Sequence, residues 1–285
     1  MKKYVGYLFI FIGIILGISF LIVQEHSIST ISFFPIDETK AFQQAGTSVE
    51  AFQAKDKDGY VIRWNIESTS EVPLYLRQDI SLLYEDGTFK GALSRWEENT
   101  DVINVQETFK GHSNRYYQAI SFHHGEVHDK HNGIKSIQKM TSDILYVIDT
   151  EDGHFSRFQK PHNEEEEYWQ KKLIQKVDKR LATDWTSLMD HYNINADNYD
   201  LIPLTDLYIY NDEPLSSLTM DQTDQVIGQL WEGIYKNYLI PATRLKSPNN
   251  PHVIPIILLD KDTSHLLVLF ELNGKKNKLI QKIST

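Results

Sequence analysis

Residues 56–66 read Asp56-Lys57-Asp58-Gly59-Tyr60-Val61-Ile62-Arg63-Trp64-Asn65-Ile66, a turn followed by strict alternation. An Asp-Gly pair accepts the positive φ that a tight hairpin demands, and a period of two puts Tyr60, Ile62, Trp64 and Ile66 on one face of a strand. With Ser48–Ala54 on the other side of the turn, the stretch predicts a β-hairpin. The pattern recurs. Pro73–Tyr84 and Thr88–Arg95 flank Glu85-Asp86-Gly87, and Ser142–Thr150 and His154–Gln159 flank Glu151-Asp152-Gly153; Asp101–Phe109 and Arg115–His124 lie between. Short β-branched and aromatic runs punctuated by such turns predict a β-rich unit over residues 47–161, a sandwich-like antiparallel arrangement or a strongly bent sheet.

Composition switches after Lys160-Pro161. Asn163 is placed to cap a helix whose first turn, Glu164 to Glu167, complements the positive end of the helix dipole. Trp169, Leu173, Val177, Leu181, Trp185 and Leu188 then recur at helical spacing, with Lys171, Lys172, Lys176, Lys179 and Arg180 on the solvated side. Asp206–Tyr210 reads as a strand. Thr219-Met220-Asp221-Gln222 is a capping box that opens a second helix through Val226, Leu230, Ile234 and Tyr238, and Pro241 is expected to end it. Val253–Leu259, Ser264–Leu272 and Lys278–Ile283 read as strands, with Asn273-Gly274 as a hairpin turn. The expected fold class is therefore α+β, with residues 162–285 forming two helices on an antiparallel sheet.

Toward the N-terminus the text changes again. Tyr4–Val23, YVGYLFIFIGIILGISFLIV, contains no charge and no Pro. Twenty helical residues span roughly 30 Å, the thickness of a bilayer's hydrocarbon core. Lys2 and Lys3 precede the stretch and the next cation is Lys40, which predicts residues 1–23 as a cytoplasmic tip and transmembrane anchor, 24–46 as a stalk, and the body outside. The run exceeds the apolar region of a cleavable signal peptide, and Gln24-Glu25-His26 offers no small-residue cleavage site. Gly6, Gly13 and Gly17 fall near one face of this helix, a GxxxG arrangement through which two copies could pack as a homodimer.

The chain carries 29 Lys and Arg against 39 Asp and Glu, a net charge of −10. An acidic body without a basic run is a poor partner for nucleic acid. There is no Cys, which excludes disulfide staples and thiol chemistry. A Cys-free exported chain behind a short basic N-terminus resembles in style the exported proteins of Gram-positive bacteria.

Histidine is the one residue type whose clustering suggests chemistry. His112, His123, His124, His128 and His131 fall within a short span. Continuing the strand from Tyr117 projects His124, Glu126 and His128 from one face, two imidazoles and a carboxylate that could hold Zn²⁺. Ile120 and Phe122 share that face, so the same parity also describes a core strand running into a solvated turn. Ser136-Ile137-Gln138-Lys139 matches the S-x-x-K of penicillin-interacting enzymes, but no Lys-Thr-Gly follows. P-loop, G-x-S-x-G and H-E-x-x-H patterns are absent. Trp64, Trp96, Tyr116 and Tyr117 could form a sugar-stacking strip or fill the core. These readings favour a single-pass extracytoplasmic protein that binds a protein partner and is not an enzyme, ahead of a metal-dependent hydrolase or a cell-wall carbohydrate binder.

Overall fold

The computed structural model describes residues 34–54, 59–128, 133–150, 154–244 and 252–283. The anchor expected at Tyr4–Val23, with Gly6, Gly13 and Gly17, lies outside them, as does His131. Among the described residues no helix is long and apolar enough to cross a membrane.

The fold is α+β, built on a curled antiparallel sheet. Its strands are β1 (Phe42–Gln53), β2 (Tyr60–Glu85), β3 (Thr88–Gly111), β4 (Arg115–His128), β5 (Ile134–Asp149) and β6 (Phe155–Phe158). The ladder runs β1-β2-β4-β5-β6, with β3 paired to the other edge of β2 along almost its whole length. Strands β2 and β3 are far longer than the runs legible in the sequence, because Pro73 does not end β2. The ladder to β3 jumps there from Thr69↔Val102 to Leu74↔Thr100, so residues 70–73 bulge against a single partner. A bulge tolerates a residue without an N–H and adds local twist, which is how one strand can turn a corner. The first half of β2 then pairs with β1 and the second half with β4. Beyond the corner, β1 faces β4 and β5 across the interior, where Val49 N donates to Asp143 Oδ2 at 2.7 Å.

Tyr60, Ile62, Trp64 and Ile66 line that interior as the alternation predicts, together with Val49, Leu83, Tyr117 and Val147. The Glu85–Thr88 turn has Asp86 at φ 50° and Gly87 at φ 74°, the left-handed pair a tight hairpin requires.

The convex side of the sheet is covered by helices. Helix α1 (Glu164–His191) starts at Asn163, whose side chain accepts from Glu166 N at 2.9 Å. It lies close against the β2–β3 turn: a Cβ on Gly87 would stand 2.9 Å from Val177 Cγ1. The far end of α1, through Leu188 and Met189, packs on a second sheet of order β10-β9-β8-β7. These strands are β7 (Tyr199–Pro203), β8 (Ile256–Asp260), β9 (His265–Leu272) and β10 (Lys275–Lys282). Helix α2 (Met220–Ile234) carries the capping box at Thr219 and Gln222. Its Trp231 stacks on Phe122 of β4, ring centroids 5.1 Å apart and 12° from parallel.

Two local expectations fail. Residues 206–210 are not a strand but part of a 3-10 helix, Leu204–Asn211, preceded by the strand β7. Leu204 and Leu207, three apart and fully buried, are the side chains that matter there, whereas Tyr208 and Ile209 are exposed. Nor does Pro241 end the second helix. Tyr235–Leu239 form a π-turn and Ile240–Thr243 a last α-helical turn that contains Pro241. A wide turn displaces the carbonyl that the proline ring would otherwise meet and removes the need for its missing N–H.

Candidate functional site

The histidine-rich end of β4 splits into two environments because neighbouring residues on a strand face opposite ways. On the convex side His124 is 2 % exposed, its Nε2 3.0 Å from Ser136 Oγ. Ser136 also receives the incoming chain: Phe34 N donates to its Oγ and Asp37 N to its carbonyl. Further along the strand, Glu126 Oε2 and His128 Nε2 are 3.5 Å apart, and His128 stacks on Tyr75. The sequence-predicted trio therefore divides: His124 meets a buried hydroxyl, while the exposed His128 faces the buried Glu126. Among the described residues no group of three or more His, Cys, Asp or Glu is arranged to hold a metal ion. His112 lies beyond the end of β3, apart from both environments. The aromatic strip is not a surface feature either: Trp64 and Tyr117 are core, Tyr116 stacks on Tyr146, and only Trp96 is exposed.

Burial lowers the pKa of His124 to about 4, with Asp79 and Glu232 opposing the shift only in part. The sign follows directly. Between pH 6.5, the ordinary histidine value, and pH 4 the unfolded chain takes up a proton that the folded chain refuses. Stability present above pH 6.5 is therefore lost as the pH falls toward 4, on the order of 3 kcal/mol from this residue. His124→Gln should flatten that part of the curve. Thermal melts at pH 7 and pH 4.5 measure it, and an unchanged pH dependence in the variant would remove His124 as the cause.

On the concave side stands a buried polar file that the sequence did not reveal. Ser68, Arg77, Asp79, Ser81, Ser121 and His123 are each 0 % exposed. Asp79 Oδ2 accepts from Ser68 Oγ at 2.5 Å and lies 2.9 Å from His123 Nδ1. Arg77 donates to Ser68 and Ser70, and its guanidinium lies over the Phe42 ring. From His123 Nε2 the file continues to Thr141 Oγ1 at 2.9 Å, then to Thr47 at 2.5 Å, Ser121 at 2.5 Å and Ser81 at 2.7 Å. Trp64 Nε1 closes it, donating to Ser81 at 3.1 Å.

Each hydroxyl has one proton to give. Thr47 donates to Ser121, Ser121 to Ser81 and Ser81 to the Ile120 carbonyl at 3.4 Å. The file therefore runs one way, with Thr47 left to accept from Thr141 and Thr141 from His123 Nε2. Burial pulls the Arg77 pKa down, and Asp79, Asp101 and Glu97 pull it back up. Among the described residues the guanidinium Nε and Asp79 Oδ1 have no hydrogen-bond partner.

Carboxylate, imidazole and hydroxyl in this order form the geometry of a nucleophilic triad. What it lacks is access. Asp79 and His123 are sealed, and the Thr141 hydroxyl is already in contact with Thr47 across the fold. Its physical effect is to tie β1, β2, β4 and β5 together where the apolar core runs out. No family model matches the chain, and no curated protein or solved structure matches it either.

Proposed function

We propose that this chain is a single-pass membrane protein whose body lies outside the cell membrane and binds a protein partner, without catalysis of its own. The observation that carries the reading is the uninterrupted apolar run Tyr4–Val23 behind Lys2 and Lys3. Ten residues, Gln24 to Phe33, separate it from the point where Phe34 meets Ser136. Fully extended, ten residues reach at most about 35 Å, the upper bound on the length of such a tether. Exposed Val72, Tyr75, Trp96 and Val102 lie around the corner of the β2–β3 ribbon, apolar groups of the kind that partner proteins cover. The closed state of the Asp79–His123–Thr141 file supports the non-catalytic part of the reading.

The test is made on membranes of cells expressing the full chain. The protein should stay in the pellet after alkaline extraction, its intact mass should include residues 1–23, and protease added outside the cells should digest the body. A mature chain beginning beyond residue 24, or a body protected from external protease, overturns the reading.

A further inference from the structure

The β2–β3 turn and the middle of α1 border an open surface pocket of about 370 Å³ with a charge balance unlike that of the rest of the chain. Four cations line it, Lys90, Arg115, Lys176 and Arg180, against two carboxylates, Glu85 and Asp86. Both carboxylates are consumed. Glu85 meets Lys90 at 2.6 Å and Arg115 Nε at 2.8 Å; Asp86 meets Lys176 at 2.7 Å and Arg115 at 3.3 Å, and accepts from Tyr116 N at 3.0 Å. Two positive charges remain in a protein whose total is −10. Arg180 is exposed and enters no ion pair among the described residues. Thr88, on the same wall, has a buried hydroxyl without a hydrogen-bond partner among the described residues.

We infer that this pocket binds a phosphate dianion, either free or as the phosphoryl group of a small ester. A dianion matches the residual charge, and the guanidinium of Arg180 can offer it two parallel N–H donors. Arg115 and Lys176 are held in place by the carboxylates, so their remaining donors are positioned without further loss of side-chain freedom. The acidic remainder of the surface does not abolish the site, because at physiological salt a charge is screened within about 8 Å. Lys176 also lines an adjoining pocket of about 600 Å³ with Asn114, Thr150, Trp169 and Lys172. That neighbour has hydrogen-bonding groups and an aromatic ring for the organic part of an ester. The inference does not depend on where the chain is anchored.

The test is calorimetric titration of the full chain in detergent, at 0.15 M salt, with inorganic phosphate and with glycerol 3-phosphate. Saturable binding of at least one is expected, with glycerol 3-phosphate the tighter if the source is an ester and inorganic phosphate equal or tighter if it is the free ion. Arg180→Ala should weaken binding about tenfold, the usual effect of one charged hydrogen bond. Lys282→Ala removes the same charge from β10 and should change nothing. Absence of saturable binding to either anion, or equal weakening by the two variants, overturns the site, since equal loss reports only net charge. Arg180 is exposed, so its removal leaves the fold intact, which a thermal melt of the variant checks.

Discussion

Asp79→Asn should destabilise the chain by about 3–5 kcal/mol, among the largest losses open to a single polar substitution. Asp79 is the only anion within the buried polar file, and its removal leaves Arg77 charged and sealed from water, with only the weaker attraction of Asp101 and Glu97. The asparagine oxygen can still accept from Ser68 and face His123 from the Oδ2 position, so what the substitution removes is the charge. Arg77→Met is damaging on its own for the converse reason. The two together should cost less than their sum by about 1–3 kcal/mol, because the second change removes the charge that the first stranded. Chemical denaturation of the two singles and the double measures this coupling. Strict additivity would mean that the two charges do not sense each other, contrary to the geometry.

Trp231→Ala is expected to be comparably severe, about 3–5 kcal/mol, for an unrelated reason. Trp231 is fully buried, stacked on Phe122, and its Nε1 donates to Met140 Sδ at 3.2 Å. It is the side chain through which α2 grips the convex face of the curled sheet. The neighbouring grips are slighter: Tyr84 and Tyr238 meet by their hydroxyls at 3.3 Å, and Asn211 pairs both backbone groups of Met140. Truncation should therefore loosen the second sheet from the first as well as lower stability. Fluorescence and far-ultraviolet dichroism, coincident in the parent, should separate during denaturation of the variant. Coincident transitions with a loss under 1 kcal/mol would show that the stack contributes little.

The hairpins were legible because Asp-Gly and Asn-Gly encode their own backbone geometry, and both Asp86-Gly87 and Asn273-Gly274 take it. Both helices announced themselves through their caps, Asn163 and Thr219, for the same local reason. What escaped the sequence depends on residues far apart. Pro73 looked like a boundary because nothing local says that β3 will bulge opposite it. The polar file joins Thr47, Asp79, His123 and Thr141, separated by 44 residues between Asp79 and His123 and 94 between Thr47 and Thr141. Parity sorts the β4 histidines onto faces, and within the strand itself only one face combines two imidazoles with a carboxylate. The chemistry lay on the other side, where His123 meets a carboxylate contributed by β2. No spacing within one strand could have supplied that partner. The basic pocket was hidden differently: Lys176 and Arg180 form an exposed helix face as their spacing predicts, and only the fold brings the β2–β3 turn beside it.

Among the described residues the long outer flank of β3 pairs with nothing beyond a single bridge from Thr88 to Val253. An open edge of 24 residues is a template on which another molecule could add a strand, the first step of fibre growth. Here it carries exposed Arg95, Glu98, Asp101, Glu107 and Lys110, so two copies brought edge to edge must bury charge in the join. Solubility is thus guarded by charged side chains set along the open flank, each of which a joining strand would have to strip of water.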